Sequence, residues 1–316
     1  MLIFEKAMIN DIKYFKQTEY NPHITDEKGK TLLHYAVLGN AMDVIDELIK
    51  KGVDVNIQDK FGETPIFDCA RKAKYDIAKI LINSNANLNI LNKKGESIIH
   101  FAAAKGNKLF IQLLLENEIN YKIVTNEGLY PIHYAVINGQ IDIIKYILNF
   151  SNQSILLVDA NNNTLLHYAA TTTNDLLIYY LLSEGLNPNL LNKNYETALF
   201  NAVRFGTKET VKALLNNDIY ISIKNEQRES AIDYALIYEK YDIENILSNY
   251  QMLPKYERLV NKQALSIATL NRDYNYLDHL VKTNHVLQND KYNFSALDYA
   301  KLYNLKDAVS ILRKIR

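Results

Sequence analysis

The sequence predicts an all-α protein, an extended solenoid of about nine to ten stacked helix–turn–helix units with short β-hairpin or turn tips. Two observations support this prediction. A hexapeptide that begins with Thr or Ser in most copies recurs every 32–34 residues, and apolar residues at helical spacing follow it. Periods between about 20 and 50 residues are typical of repeat proteins, in which each unit buries its apolar face only against its neighbours.

The hexapeptides keep one register along nearly the whole chain. Successive copies begin 33 residues apart, except for one spacing of 34 and a last spacing of 32. Nine copies at such regular intervals exclude a chance similarity. The copies are TLLHYA from Thr31, TPIFDC from Thr64, SIIHFA from Ser97, YPIHYA from Tyr130, TLLHYA from Thr164, TALFNA from Thr197, SAIDYA from Ser230, QALSIA from Gln263 and SALDYA from Ser295.

Each unit is expected to contain two helices. The Thr or Ser of the hexapeptide can cap the first helix, and Pro65 and Pro131 stand just inside that start, where a missing N–H has no cost. The sixth hexapeptide residue is small, as at Ala36 and Cys69, which lets neighbouring helices approach closely. A second segment of helical period follows, such as DVIDELIKKG from Asp43.

The pattern extends to the turns between the units. A turn residue such as Asp26 or Asn92 stands five residues before the hexapeptide, and several units end in a sequence such as GVDVN (Gly52–Asn56). These features resemble the ankyrin repeat, whose signature is T-P-L-H-x-A at a period of 33. The resemblance covers roughly residues 26–316 and implies an ankyrin-repeat solenoid.

The resemblance also implies a division of the chain into three parts. Residues 1–25 are expected to form an N-terminal capping half-repeat, residues 26–255 seven ankyrin repeats, and residues 256–316 two degenerate C-terminal repeats with a C-cap. Two irregularities interrupt the register: an extra residue around Phe150–Asn161 and the loss of the signature after Ser248–Asn261. We expect a distorted junction at the second, and drift in an old repeat is the alternative explanation.

Composition excludes several classes of protein. Lys and Arg together number 36, as do Asp and Glu, so no global field favours nucleic acid or an anionic membrane as a partner. Cys69 is the single cysteine, which excludes an internal disulfide. No apolar run approaches the ~18 residues that span a bilayer, and no basic region precedes the first apolar residues as in a cleaved signal peptide. We therefore predict a cytoplasmic protein, or one exported to a host cell without a cleaved signal peptide.

Four histidines invite a metal-binding or catalytic interpretation: His34, His100, His133 and His167. They occupy one repeat slot, so stacking separates neighbours by ~8–10 Å, whereas ligands of a shared zinc each lie ~2 Å from the ion. The resemblance instead assigns this His to a hydrogen bond with the backbone of an adjoining turn. Phosphate-binding loops, H-E-x-x-H and paired Cys motifs are absent from the sequence. We predict no catalytic residue, metal, cofactor or small-molecule substrate; the alternative is an enzyme whose site is grafted onto the repeat surface.

The resemblance implies that a partner binds to the concave face, which the tips and the exposed side of the first helices form. The candidate partner-binding residues at these positions are Lys60, Phe61, Arg71, Lys72, Lys105, Leu129, Ile137, Arg204, Phe205, Ile237 and Tyr238. The cations of the early repeats predict an acidic patch on the partner, and the apolar and aromatic residues of the later repeats predict an apolar knob. Surface residues scattered without function are the alternative.

The predicted function is therefore a protein–protein interaction module that sequesters or inhibits a single partner protein. Within this class we expect either a toxin-neutralising, immunity-like protein or an effector directed at a host protein. A scaffold or adaptor that joins several partners is the alternative, and self-association through the aromatic residues is a further one.

Overall fold

The computed structural model describes residues 2–151, 155–283 and 285–315, and this part of the chain forms 21 helices. They divide between two compact units, Met1–Gln153 and Ser154–Arg316, called unit 1 and unit 2 below. The helices are α1 (Leu2–Met8), α2 (Ile12–Gln17), α3 (Leu32–Gly39), α4 (Met42–Lys50), α5 (Ile66–Lys72), α6 (Tyr75–Asn83), α7 (Ile98–Lys105), α8 (Lys108–Glu116), α9 (Pro131–Ile137), α10 (Ile141–Ser151), α11 (Leu165–Ala169), α12 (Asp175–Ser183), α13 (Ala198–Phe205), α14 (Lys208–Leu215), α15 (Ala231–Ile237), α16 (Tyr241–Gln251), α17 (Pro254–Lys262), α18 (Ala264–Leu270), α19 (Tyr274–Lys282), α20 (Ala296–Leu302) and α21 (Lys306–Leu312).

Unit 1 is a stack of helix pairs. The first helices α1, α3, α5, α7 and α9 pack in sequence order, each against the next. Each first helix from α3 onward also packs against the second helix of its own pair, from α4 to α10. The core lies between the two rows, where side chains such as Leu33, Ile45 and Leu48 are fully buried. The predicted all-α ankyrin-repeat fold is thereby confirmed.

In three repeats the histidine of the hexapeptide joins one repeat to the next. In the first repeat, Nδ1 of His34 accepts a hydrogen bond from the backbone N–H of Thr31 at 3.1 Å. Its Nε2 therefore carries the proton and donates to the carbonyl oxygen of Glu63, 3.1 Å away in the following repeat. His100 and His167 make the same pair of contacts. These three side chains thus have the backbone-bridging role that the resemblance implies.

The tips between the helix pairs are turns built around one polar side chain. Oδ1 of Asp26 accepts hydrogen bonds from the backbone N–H groups of Lys28 and Lys30, at 2.8 and 2.7 Å. Successive tips are joined by backbone bonds, as from Lys60 N–H to the Lys28 carbonyl at 2.8 Å. Over the described residues the only β-structure consists of isolated antiparallel bridges, such as that between Thr25 and Thr31.

Unit 2 begins with the same arrangement, since α11, α13 and α15 pack in order and α12, α14 and α16 cover them. The pattern changes at α17, which stands where the earlier repeats have a turn tip and which contacts both α16 and α18. Pro254 starts α17, and Tyr256 is buried with its hydroxyl 3.2 Å from the backbone nitrogen of Ser222. The junction that the sequence predicts to be distorted is thus an added helix. The extra residue of the earlier irregularity falls in a segment that includes residues 152–154, which lie outside the described residues.

The last helices of unit 2 pack against the loops of its first repeats. A buried cluster joins Leu191 and Tyr220 of those loops to Leu270 and Tyr299 of α18 and α20. Asn187 donates through Nδ2 to the Tyr299 hydroxyl at 2.7 Å, across 112 residues of sequence. The two degenerate repeats therefore contact the loops of repeats five to seven.

In the part of the chain that the structure describes, no helix is long and apolar enough to cross a membrane.

Candidate partner-binding surface

The most exposed apolar side chains at the ends of first helices lie on α13 and α15 of unit 2. Phe205 ends α13 and Ile237 ends α15, and their side chains are 59% and 56% exposed. Tyr238 follows directly and is also exposed. We call Arg204, Phe205, Tyr234, Ile237 and Tyr238 the aromatic patch. An exposed apolar cluster of this kind on adjacent helices is typical of an interaction site.

Arg204 holds the aromatic patch together. Its Nη2 donates to Oε1 of Glu196 at 3.0 Å and to the hydroxyl of Tyr234 at 2.6 Å. Its guanidinium carbon lies 4.9 Å from the centroid of the Tyr234 ring, 5.7 Å from that of Tyr238 and 5.5 Å from that of Phe205. These distances are within the range of cation–π contact, so one cation orients three rings.

Glu196 holds the side chains of Arg204 and Tyr234 in place. Its side chain is only 4% exposed and accepts a second hydrogen bond, from the Tyr234 hydroxyl at 2.7 Å. Burial, and then the bond to Glu196, raise the pKa of Tyr234, so the hydroxyl keeps its proton and donates. The Tyr234 ring also packs edge-on against Phe200, with centroids 5.0 Å apart. These contacts therefore hold Arg204 and Tyr234 in one orientation beneath the exposed rings.

Unit 1 also has an arginine, a glutamate and an aromatic ring at the equivalent repeat positions, but the surface around the arginine differs. Arg71 is bound by Glu63, as Arg204 is by Glu196, and its guanidinium lies 4.3 Å from the centroid of the Phe101 ring. A second carboxylate, that of Asp68, lies 3.4 Å from Arg71 Nη1. Two carboxylates thus neutralise Arg71, and no exposed aromatic side chain surrounds it among the neighbours that the structure describes.

The remaining candidates of unit 1 fall at separate places. Lys72 and Lys105 are exposed at the last residues of α5 and α7, and neither has a carboxylate within 4 Å among the described residues. Lys60 and Phe61 are exposed at a tip, and Ile137 is exposed at the last residue of α9. The structure therefore brings Phe205 and Tyr238 to Arg204, with Ile237 next to Tyr238 in the chain, but spreads the unit 1 candidates along the stack.

The prediction that Leu129 contacts a partner is wrong. Its side chain is 7% exposed, and its backbone is fully used inside the tip. The N–H donates to Thr125 Oγ1 at 3.1 Å, and the carbonyl accepts from the Thr125 N–H and from Nε2 of His100. The position just before the hexapeptide points inward, and an apolar residue there joins the core.

Two residues that orient Arg204 were not predicted from the sequence, namely Glu196 and Tyr234. A signal for the first exists in the repeats, since Glu63 and Glu196 each precede an arginine by eight residues in the same slots. Tyr234 lies one position after the histidine slot of its hexapeptide. Its link to Arg204 depends on the stacking of α13 against α15, which a single repeat does not reveal.

The titratable groups of the described residues show no cluster suited to metal chemistry, because no three His, Cys, Asp or Glu side chains come together as metal ligands. Cys69 is buried in the helix stack, and burial raises the pKa of its thiol far above the usual range. Asp233 and Asp298 stand where other repeats have His, and each caps its helix by accepting bonds from Ser230 and Ser295, respectively.

Comparison with known proteins agrees with this architecture. The family model described as "Ankyrin repeats (3 copies)" matches residues 1–92, 74–159, 99–190 and 166–255, so the matched region ends where α17 begins. An ankyrin repeat-containing protein of Schizosaccharomyces pombe is 41% identical over 51 residues, which is 16% of this chain and 25% of that protein. The chain thus covers about a quarter of that relative's length. The family match covers far more than half of the sequence, and the chain belongs to the ankyrin repeat family.

Proposed function

We propose that this chain binds a single partner protein through the aromatic patch and thereby sequesters or inhibits it. Ankyrin repeats are protein–protein interaction modules in general. The observation that carries the specific proposal is that one guanidinium, that of Arg204, lies 5.5 and 5.7 Å from the centroids of two exposed rings, those of Phe205 and Tyr238. Tyrosine and arginine are enriched in the residues that contribute most to binding energy at interfaces.

The patch suits a tight contact because its side chains are already ordered. Immobilising a flexible side chain on binding costs about 0.5–1.5 kcal/mol, and the bonds of Arg204 to Glu196 and Tyr234 remove much of that cost. Since Glu196 neutralises Arg204, the patch favours an apolar side chain of the partner over a charged one. This is the apolar knob expected from the sequence.

The acidic patch expected on the partner would face unit 1. Lys60, Lys72 and Lys105 support it, because they are exposed and have no carboxylate within 4 Å among the described residues. Arg71 does not, because Glu63 and Asp68 compensate its charge. Mutation of these lysines should therefore change the rate and salt dependence of binding more than the affinity.

Two roles fit a protein that neutralises one partner. One is an immunity-like protein in the bacterial cytoplasm, and the other is an effector exported to a host cell without a cleaved signal peptide. A toxin gene beside this one would favour the first role, and delivery of a tagged chain in a translocation assay would favour the second.

A scaffold that joins several partners is the second candidate. The observation in its favour is that exposed candidates occur in both compact units, as with Phe61 in unit 1 and Phe205 in unit 2. A scaffold predicts separate partners for the two units, whereas sequestration predicts one.

Affinity capture from the native source would test the proposal. The baits are the wild type, a Phe205→Ala/Tyr238→Ala variant and, as the matched control, a Lys72→Ala/Lys105→Ala variant. We expect one stoichiometric protein with the wild type and the control, and its loss from the aromatic variant. Different proteins lost from the two variants would support the scaffold, and an unchanged set with all three baits would contradict binding at the patch.

A further inference from the structure

Two arginines meet in unit 2 where the tip of the seventh repeat touches the end of α18. Arg228 lies in the tip and donates through Nη1 to the carbonyl of Asn271 at 2.7 Å. Arg272 follows Asn271 and donates through Nη2 to the carbonyls of Lys224 and Asn225, at 3.0 and 2.8 Å. The two side chains thus cross, each bonded to the backbone beside the other.

Neither arginine has an acidic partner. Among the described residues no carboxylate lies within 4 Å of Arg228 or Arg272, and the Nε of Arg272 is buried without a hydrogen-bond partner. Burial, and then the charge of Arg228, lower the pKa of Arg272. In the same tip, Glu229 is engaged by Asn225 Nδ2 at 3.0 Å. Most N–H donors of the two guanidinium groups therefore remain unused.

Aromatic rings border the two arginines. The guanidinium of Arg272 lies 3.7 Å from the centroid of the Tyr195 ring, which is closer than any other cation–ring distance in the described chain. Tyr274 starts α19 and interacts electrostatically with both arginines. It also interacts with the carboxylate of Asp307 on α21. Arg228 is exposed, while Tyr195, Arg272 and Tyr274 are half-buried, so the site is open to solvent.

Two tips at this site lack the glycine of the unit 1 tips but keep its left-handed backbone. Tyr195 and Arg228 occupy the tip position that is glycine in unit 1, and both are left-handed, with φ of 60° and 67°. A non-glycine residue costs about 1–2 kcal/mol in this conformation. Such a cost at two neighbouring tips is consistent with side chains retained for function.

We propose that Arg228 and Arg272, bordered by Tyr195 and Tyr274, bind an acidic segment of the protein partner. Carboxylates match the fork of N–H donors that a guanidinium presents, and the uncompensated charge of the pair selects an acidic sequence. This site shares no residue with the aromatic patch or with the lysines of unit 1. It rests on the proposed function only in that the acidic segment belongs to a protein partner.

Fluorescence anisotropy with a fluorescein-labelled oligoglutamate would test this proposal. We expect saturable binding to the wild type that weakens with added salt, and an affinity about tenfold lower for Arg228→Gln, because a charge-assisted hydrogen bond contributes about that much. The matched control is Arg258→Gln, which removes one exposed cation of α17 and should change the affinity less than about twofold. Arg228→Lys should restore part of the binding.

Several outcomes would overturn the proposal. These are no binding of oligoglutamate to the wild type, equal losses in Arg228→Gln and Arg258→Gln, or tighter binding of a single-stranded oligothymidine of the same charge. Unfolding curves of each variant would establish that the fold is intact. If oligoglutamate fails to bind while the aromatic variant still loses its captured partner, the acidic-segment site alone is refuted and the proposed function stands.

Discussion

Arg71 of unit 1 and Arg204 of unit 2 occupy the same slot of their repeats, but the two surfaces around them differ. Each is bound by a glutamate eight residues earlier and lies over an aromatic ring of the next repeat. Arg71 has a second carboxylate from Asp68, while the equivalent position in unit 2 is Asn201. The residue after the arginine is Lys72 in one case and Phe205 in the other.

The comparison shows that equivalent repeat positions can display two kinds of surface. In unit 1 two carboxylates neutralise the arginine, and Lys72 follows it in the sequence. In unit 2 the arginine depends on Glu196 alone and orders exposed rings. The difference predicts that unit 2 depends more on its single glutamate and contributes more to partner binding.

The largest effect is expected from removal of the glutamate. Glu196→Ala leaves Arg204 and the Tyr234 hydroxyl without their carboxylate, and we expect a loss of about 2–3 kcal/mol in unfolding free energy, since Arg204 is partly exposed. Glu63→Ala should cost about 1 kcal/mol, because Asp68 still compensates Arg71. Urea unfolding of both variants measures this, and equal losses would refute the comparison.

Substitution of the exposed rings should weaken partner binding and leave the stability of the fold nearly unchanged. Phe205→Ala and Tyr238→Ala should each weaken the partner complex by about 2 kcal/mol, roughly 30-fold, while unfolding free energy changes by less than about 0.5 kcal/mol. Lys72→Ala and Lys105→Ala should each change the affinity less than about fivefold. Titration calorimetry with the captured partner would distinguish these cases. Larger effects from the lysine variants would move the site to unit 1.

The buried histidines should make the fold sensitive to mild acid. Burial lowers the pKa of His34, His100 and His167 below the ordinary value of 6.5, so the unfolded chain binds more protons than the folded one below that pH. Each then removes up to about 1.4 kcal/mol per pH unit as the pH falls from about 6.5 toward its folded pKa. Hydrogen exchange should show unit 1, with two of these residues, losing protection before unit 2. Constant protection from pH 7 to 5 would contradict this.

A smaller effect is expected at the left-handed ends of the second helices. Glu118 in unit 1 has φ of 57°, and Gly185 in unit 2 fills the same slot with φ of 91°. We expect Glu118→Gly to stabilise the fold by about 0.5–1 kcal/mol and Gly185→Ala to destabilise it by about 1 kcal/mol. Thermal unfolding would resolve the two shifts, and shifts of the same sign would show that backbone conformation does not decide them.

Most of the fold could be predicted because the repeats carry it locally. The Thr-x-x-His pattern contains both the helix cap and the residue that binds the next repeat, as the bonds of His34 to Thr31 and Glu63 show. The contact of the last two repeats with the earlier loops could not be predicted. It depends on pairs such as Asn187 with Tyr299, which lie 112 residues apart in the sequence.

The geometry of the candidate site was predicted less completely for the same reason. Exposure at a helix end follows from repeat position, which identified Phe205, Ile237 and Tyr238. Leu129 was misassigned because the slot before the hexapeptide is buried even though it lies near the tip. The arginine pair of Arg228 and Arg272 was missed because it forms where α18 meets a distant tip.

The most direct test of the central claim is amide hydrogen exchange of the chain with and without its captured partner. Binding at the aromatic patch predicts new protection in peptides that cover the ends of α13 and α15, near Phe205 and Tyr238, with little change around Lys72 and Lys105. Protection confined to the unit 1 peptides would contradict the claim that the partner binds at the aromatic patch.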